Sequence, residues 1–244
     1  MQALLVKPAR VGECPAADRK VQPRNPQERL LRGYLHKTSN SLCGIKGYAS
    51  LIAGLGCQAA DNARWARKII LEIENMERIF QSVGDLASLQ IQPADPATLP
   101  DVLDQAWRSA AEAHPNLEIL CGRIAADQPL LPPADLGMIL REIFNNSAEG
   151  HGDKDVKATV TVSCARGALG RLELRLQDDG PGIAAALLAQ VREPFVTTKP
   201  GHLGIGLTRV DTVMDMYGLA WSLTSEPGRG TLVTLEAAGP AQGG

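Results

Sequence analysis

Residues 172–183 read LELRLQDDGPGI. Leu172, Leu174 and Leu176 alternate with Glu173, Arg175 and Gln177, the period-two pattern of a half-buried strand. Asp178-Asp179-Gly180-Pro181-Gly182-Ile183 follows directly. Upstream, Val156, Ala158, Val160 and Val162 alternate with Lys157, Thr159, Thr161 and Ser163, which predicts a second strand of the same kind. Before it, Pro133 to Glu149 reads as a helix, Leu117 to Ile124 as a strand and Asp101 to Ala113 as another helix. Downstream, Ala220 to Ala237 reads strand, Glu226-Pro227-Gly228 turn, strand. Strands mixed with helices that share one face predict an α/β sandwich.

Toward the N-terminus the period changes. Leu31, Leu35, Thr38, Leu42, Ile45, Ala49 and Ile52 recur at alternating four and three, a heptad seam. Gly54 and Gly56 break the run, and Asp61 or Asn62 is placed to cap a second helix. Its seam is Ala66, Ile69, Ile73, Met76, Phe80, Val83 and Ala87. Two long helices with a short glycine-containing loop make an antiparallel hairpin. A lone hairpin leaves such seams partly uncovered, so the expectation is a homodimer built around a four-helix bundle. Pro93, Pro96 and Pro100 then punctuate the chain. The division expected is a tail or linker over 1–25, a helical hairpin over 26–92 and the α/β domain over 93–244, an α+β chain.

Composition narrows the function classes. The 244 residues carry a net charge of -2, with 44% apolar and 21% charged residues, as in an ordinary globular protein. That balance argues against a basic nucleic-acid binder. No run reaches the roughly 20 apolar residues of a membrane span. The nearest, Ser41 to Ala60, carries Lys46 and four glycines. The apolar part of MQALLVKPAR is too short for a secretory signal. A soluble, cytoplasmic protein is the expectation. Five scattered cysteines (Cys14, Cys43, Cys57, Cys121, Cys164) form no CxxC pair and no disulfide framework. The 4% aromatic content fits packing by Leu, Ile and Ala.

Four motifs carry chemistry. Asp178 can accept a hydrogen bond from an exocyclic amine, and Gly180 and Gly182 let the backbone approach a flat ring. Glu142 and Asn146, four apart, share a helical face, and an amide oxygen suits a Mg²⁺ that also holds phosphates. The run EPFVTTK (193–199) precedes Gly201, Gly204 and Gly206 at a predicted helix start. Backbone N–H groups there suit phosphate, Lys199 adds mobile positive charge, and the loop can fold as a lid. Gly228-Arg229-Gly230-Thr231 sits between two strands. Taken singly, each also reads as something plainer: a tight turn, a solvated polar pair, a glycine loop, a hairpin.

Their order is the stronger signal. An asparagine helix, DxGxG, EPFxTTK, GxG and GxGT over 97–240 resemble the ATP-binding domain of sensor histidine kinases, within the group that holds DNA gyrase, Hsp90 chaperones and MutL proteins. The resemblance implies ATP and Mg²⁺ as cofactors, with Asp178 reading adenine and Asn146 holding the metal. It also implies Gly204 and Gly206 at the phosphates and Thr231 near the adenine. LHKTSNSL (35–42) resembles the phosphoacceptor box of the same kinases. That implies His36 as the nucleophile, a role open to a neutral imidazole, and Asn40 as the residue that positions a water for dephosphorylating a partner. The implied partner is an Asp of a response-regulator receiver domain, none of which is visible in the chain.

The match has departures. Lys37 stands where most members carry an acid, Ser41 where a proline is usual, and His202 where many have glycine. Subfamilies with a basic residue after the histidine often carry Glu where Glu142 stands, so Glu142 is the expected base. The competing reading of Lys37 is a weak autokinase acting mainly as a phosphatase or phosphorelay. Two rivals differ in class: a phosphotransfer or scaffold protein with a vestigial nucleotide domain, and a gyrase-like ATPase. His114 and His151 have no motif around them.

Overall fold

A computed structural model describes residues 26–54, 59–93, 96–124, 128–152, 155–167 and 171–237. The expected tail over 1–25, the hairpin loop with Gly56, and Cys14 and Cys57 lie outside the described residues.

Helix α1 (Pro26–Gly54) and helix α2 (Ala59–Ala87) pack against each other along their length. Ser41 continues α1 unbroken, as its backbone N–H permits and a proline's ring would not. Its hydroxyl accepts a hydrogen bond from Asn75 Nδ2 of α2 at 3.4 Å. Because α2 starts at Ala59, Asp61 lies in its first turn and Asn62 directly after it, so neither is the cap. Asp61 is the acidic residue of that turn. Its carboxylate there complements the positive end of the helix.

The seams divide differently from the heptad reading. Thr38 and Ser41 of α1 and Ile79 and Leu86 of α2 are buried, whereas Leu31, Leu35, Leu42, Ile73 and Phe80 are exposed. The cause is that the buried stripe of α2 serves two neighbours at once, α1 and the α/β domain. Ile79 and Leu86 join Phe195 and Ile205 in one buried cluster, on which Leu30, Tyr34, Val83, Leu89 and Leu203 pack.

The α/β domain contains α3 (Leu99–Ala113), β1 (Leu117–Ile124), α4 (Pro133–Gly150), β2 (Ala158–Arg166), β3 (Leu172–Asp178), the short α5 (Ala185–Leu188), α6 (Gly206–Met216), β4 (Trp221–Ser225) and β5 (Thr231–Glu236). The sheet order is β1-β2-β3-β5-β4; β1 and β2 run parallel and the other pairs antiparallel. Alternation along the strands puts Val160, Val162 and Cys164 of β2 and Leu174 and Leu176 of β3 on one face. They share one core with α3, α4 and α6, centred on Leu136, Ile139, Leu140 and Phe144. Each such fully buried side chain contributes about 1.5–3 kcal/mol.

Two starts shift from expectation. Helix α3 begins at Leu99 because Thr98 and Asp101 form a capping box. Thr98 Oγ1 accepts the Asp101 N–H at 3.3 Å and Asp101 Oδ2 accepts the Thr98 N–H at 3.2 Å. Strand β2 begins at Ala158, and Val156 stays exposed. Cys43, Cys121 and Cys164 are free thiols. No helix among the described residues is long and apolar enough to cross a membrane.

Candidate functional site

A cavity of about 780 Å³ opens between α4, the turn after β3 and the loop that leads into α6, with Arg78, Gln81 and Ser82 of α2 on its rim. That volume lies within the roughly 300–1,000 Å³ of small-molecule sites.

Asp178 ends β3 on the cavity wall. Its Oδ1 accepts the N–H of Gly180 at 3.0 Å and of Thr231 at 2.8 Å, and its Oδ2 accepts the Ser147 hydroxyl at 3.3 Å. A carboxylate offers about four acceptor sites, so this one is oriented and still able to take an amine hydrogen. Thr231 thus meets Asp178 through its backbone; its hydroxyl lies 3.0 Å from that of Ser225. Gly182 has φ 71°, and a Cβ there would lie 2.0 Å from the Glu226 carbonyl oxygen, so only glycine fits this approach of turn to β4–β5 hairpin.

Helix α4 presents Glu142, Asn146 and Glu149 to the same cavity, four and three residues apart on one face. Lys199 reaches back to them from the loop. Its Nζ donates to Asn146 Oδ1 at 3.2 Å, to the Asn146 carbonyl at 3.3 Å and to Glu149 Oε2 at 2.7 Å. His114 and His202 lie 3.7 Å from the Glu149 carboxylate on either side. The Lys199 ammonium is therefore a cation already seated on the amide oxygen expected to hold Mg²⁺. One amide oxygen suits that metal, which keeps waters and substrate phosphates as its other ligands.

The loop itself is tied at its base. Phe195, with φ 65°, donates its N–H to the Gly204 carbonyl at 2.9 Å. A Cβ on Gly204 would lie 2.5 Å from the Val196 carbonyl oxygen, and one on Gly206 would lie 2.7 Å from Glu142 Oε2. Between these ends the loop reaches over the cavity, and its outer side docks on the hairpin. Arg29 Nη1 bonds Glu193 Oε1 at 3.1 Å, and Arg78 Nη1 donates to the Gly201 carbonyl at 3.0 Å.

His36 and Asn40 stand apart from this assembly. Both are exposed on α1, one turn apart, with Asn40 Nδ2 3.3 Å from His36 Nε2. In the tautomer with the proton on Nδ1, the amide donates to Nε2. Neither residue lines the cavity.

Sequence reasoning missed Ser147, Glu149 and Arg209. Arg209 Nη1 donates to Glu142 Oε1 at 2.6 Å. A cation in the first turn of a helix opposes the helix dipole, so a partner for it could have been sought. Glu149 follows Asn146 by one helical turn, a spacing that equally marks a shared face.

Residues 132–239 match the family model of histidine kinase-, DNA gyrase B- and HSP90-like ATPases. The sensor histidine kinase ZraS of Salmonella typhi is 24% identical over 210 residues, which are 84% of this chain and 44% of that protein. The sensory histidine kinase/phosphatase NtrB of Rhodobacter capsulatus is 26% identical over 208 residues, 80% of this chain and 57% of that protein. The chain thus spans about half the length of these curated relatives. Among solved structures, full-length ShkA in complex with AMPPNP superposes with a TM-score of 0.51 at 20% identity, over 87% of this chain and 46% of that one. That likeness is one of fold.

Proposed function

We propose that this chain, a histidine kinase core by its relatives, is an ATP-dependent kinase that phosphorylates its own His36. The phosphoryl group then passes to an Asp of a response-regulator receiver domain. One observation carries the reading. An oriented carboxylate, Asp178, and a cation-holding amide, Asn146, face a single nucleotide-sized cavity in a chain that also displays a solvent-facing imidazole on α1.

In this reading Asp178 accepts a hydrogen bond from the adenine amine, with Gly180 and Gly182 clearing space for the ring. The N-terminus of α6, opened by Gly204 and Gly206, receives the phosphates. Mg²⁺ held at Asn146 would neutralise charge on those phosphates. Lys199 leaves Glu149 for the phosphates as the loop closes. His36 Nε2 forms a bond to the terminal phosphorus, the bond from that phosphorus to the bridging oxygen breaks, and ADP leaves. The proton on Nδ1 then goes to a base, a role we give to Glu142. Since His36 does not line the cavity, the α/β domain must swing before transfer, releasing the contact of its Phe195 and Ile205 with Ile79 and Leu86 of α2. The exposed Leu31, Leu35, Leu42, Ile73 and Phe80 are the face by which two hairpins would form a four-helix bundle. We place the hairpin over 26–92 and the ATP-binding domain over 93–244, and the working compartment in the cytoplasm, where ATP is available.

Lys37 favours a second reading in which the chain dephosphorylates its regulator more than it phosphorylates itself. Asn40 would then aim a water at the regulator's phosphoryl group.

The test is incubation with Mg-ATP followed by mass spectrometry. A single acid-labile phosphate on His36 is expected, absent from His36→Ala. Undiminished labelling of His36→Ala would sink the proposal, and steady phosphate release with no phosphoprotein would favour a gyrase-like ATPase.

A further inference from the structure

Arg209 is the one arginine of the α/β domain that reaches the cavity wall among the described residues. It sits in the first turn of α6, three residues after Gly206, and its backbone N–H bonds the Ile205 carbonyl at 2.9 Å. Its guanidinium is half-buried and gives Nη1 to Glu142 Oε1 at 2.6 Å. The other oxygen of that carboxylate lies where a Cβ on Gly206 would come within 2.7 Å. Glu142 is thereby wedged between the guanidinium and the start of α6.

A guanidinium has five N–H donors in a rigid fork, and this one spends a single donor on a described residue. A cation in the first turn is disfavoured by the helix dipole. A nearby anion removes that penalty, and Glu142 supplies only one negative charge. A phosphoryl group bound at the same helix end supplies more, and two of its oxygens can pair with the arginine fork at once.

We propose that Arg209 grips the terminal phosphoryl group of the bound nucleotide and so makes the site selective for a nucleoside triphosphate over a diphosphate. The inference rests on the reading of this cavity as an ATP site. Glu142 acts as the anchor of the fork: one edge of the guanidinium stays on the carboxylate while the other takes phosphoryl oxygens. The same bridge keeps Glu142 beside the terminal phosphoryl group, where the His36 imidazole would arrive and give up its proton.

The experiment is titration of the full chain with Mg-AMPPNP and with Mg-ADP by calorimetry, for the wild type, Arg209→Met and Arg209→Lys. One charge-assisted pair sets the expected scale: about tenfold or more lost for AMPPNP in Arg209→Met, with ADP affinity changed by less than about twofold. Arg209→Lys, which keeps the charge without the fork, should fall between. Circular dichroism melting identifies any variant that fails to fold, and for such a variant the Arg209→Lys titration decides. Equal loss for both nucleotides, or no loss for either, overturns the assignment while leaving the ATP site in place. A wild type that binds neither nucleotide overturns the ATP reading and this inference with it.

Discussion

A Cβ added to Gly33 of α1 would lie 2.6 Å from Cδ2 of Phe195. The hairpin and the loop over the cavity meet across this glycine, and Phe195 is buried there in a backbone conformation with φ 65° that side chains rarely adopt. Such strain persists only where the surroundings hold it. Gly33→Ala should therefore push the loop off the hairpin. Spin labels on α1 and on the loop should report longer and broader distances than in the wild type. An unchanged distribution would mean that the ring moves aside without cost.

In the proposed reading, Asn40 is needed for only one of the two directions of phosphoryl flow. Asn40→Ala should keep autophosphorylation of His36 within a few-fold of the wild type and lose dephosphorylation of the regulator. Equal loss of both activities would remove the assigned role.

The proposed function has Lys199 leave Asn146 and Glu149 for the phosphates of a bound nucleotide. Its loss as Lys199→Met should lower affinity for Mg-AMPPNP by about tenfold, about 1.4 kcal/mol, the scale of one charge-assisted hydrogen bond. The deficit should shrink at high salt, because screening weakens the contact it lost. A salt-independent loss would point to a packing defect instead.

Asp179 makes the stability of the fold depend on pH at the acid end. Burial pushes its carboxyl up, but the Thr159 N–H at 2.8 Å and the charge of His151, whose Nε2 lies 3.0 Å from Oδ1, outweigh that and hold it below the usual carboxylate range. A carboxyl held low stabilises the fold above its ordinary value of about 3.9, and that contribution fades as pH falls through the lower folded value. In His151→Gln the Asp179 carboxyl should titrate closer to its ordinary value by carbon-detected NMR. No movement would show that Thr159 alone holds it.

Phe144 is fully buried in the core beneath α4. Phe144→Ala should cost about 3–5 kcal/mol in urea unfolding, and nucleotide affinity should fall with it because Glu142 and Asn146 ride on the same helix. A cost under about 1 kcal/mol would mean that the core collapses into the gap.

The strands and helices of the α/β domain were legible because their apolar periods are long and end at glycine or proline. Leu117–Ile124 is a strand at the expected bounds, and Pro133–Glu149 extends by a single residue. Asp178, Asn146, Lys199, Gly204 and Gly206 were legible through motif order, and the structure brings them to one cavity. The faces of the hairpin were legible only in part: Leu31, Leu35, Leu42, Ile73 and Phe80 of the seams are exposed, as a lone hairpin leaves them, but the buried Ile79 and Leu86 lie beside the seam of α2. A heptad count cannot tell a helix that packs on one neighbour from one that packs on two, and Ile79 and Leu86 answer to the α/β domain as well as to α1. Nor could spacing reveal that Arg209 pairs with Glu142, since the two are 67 positions apart and meet only through the packing of α4 on α6.

The parallel pairing of β1 with β2 has a consequence for how the site came to lie where it does. Two parallel strands cannot be joined by a tight turn, so the chain must cross over, and α4 is that crossover. Such crossovers take one hand almost without exception, set by the chirality of L-amino acids. The side of the sheet that receives Glu142 and Asn146 is thus decided by handedness before any side chain is chosen, and substitutions can empty the site but cannot move it to the other side.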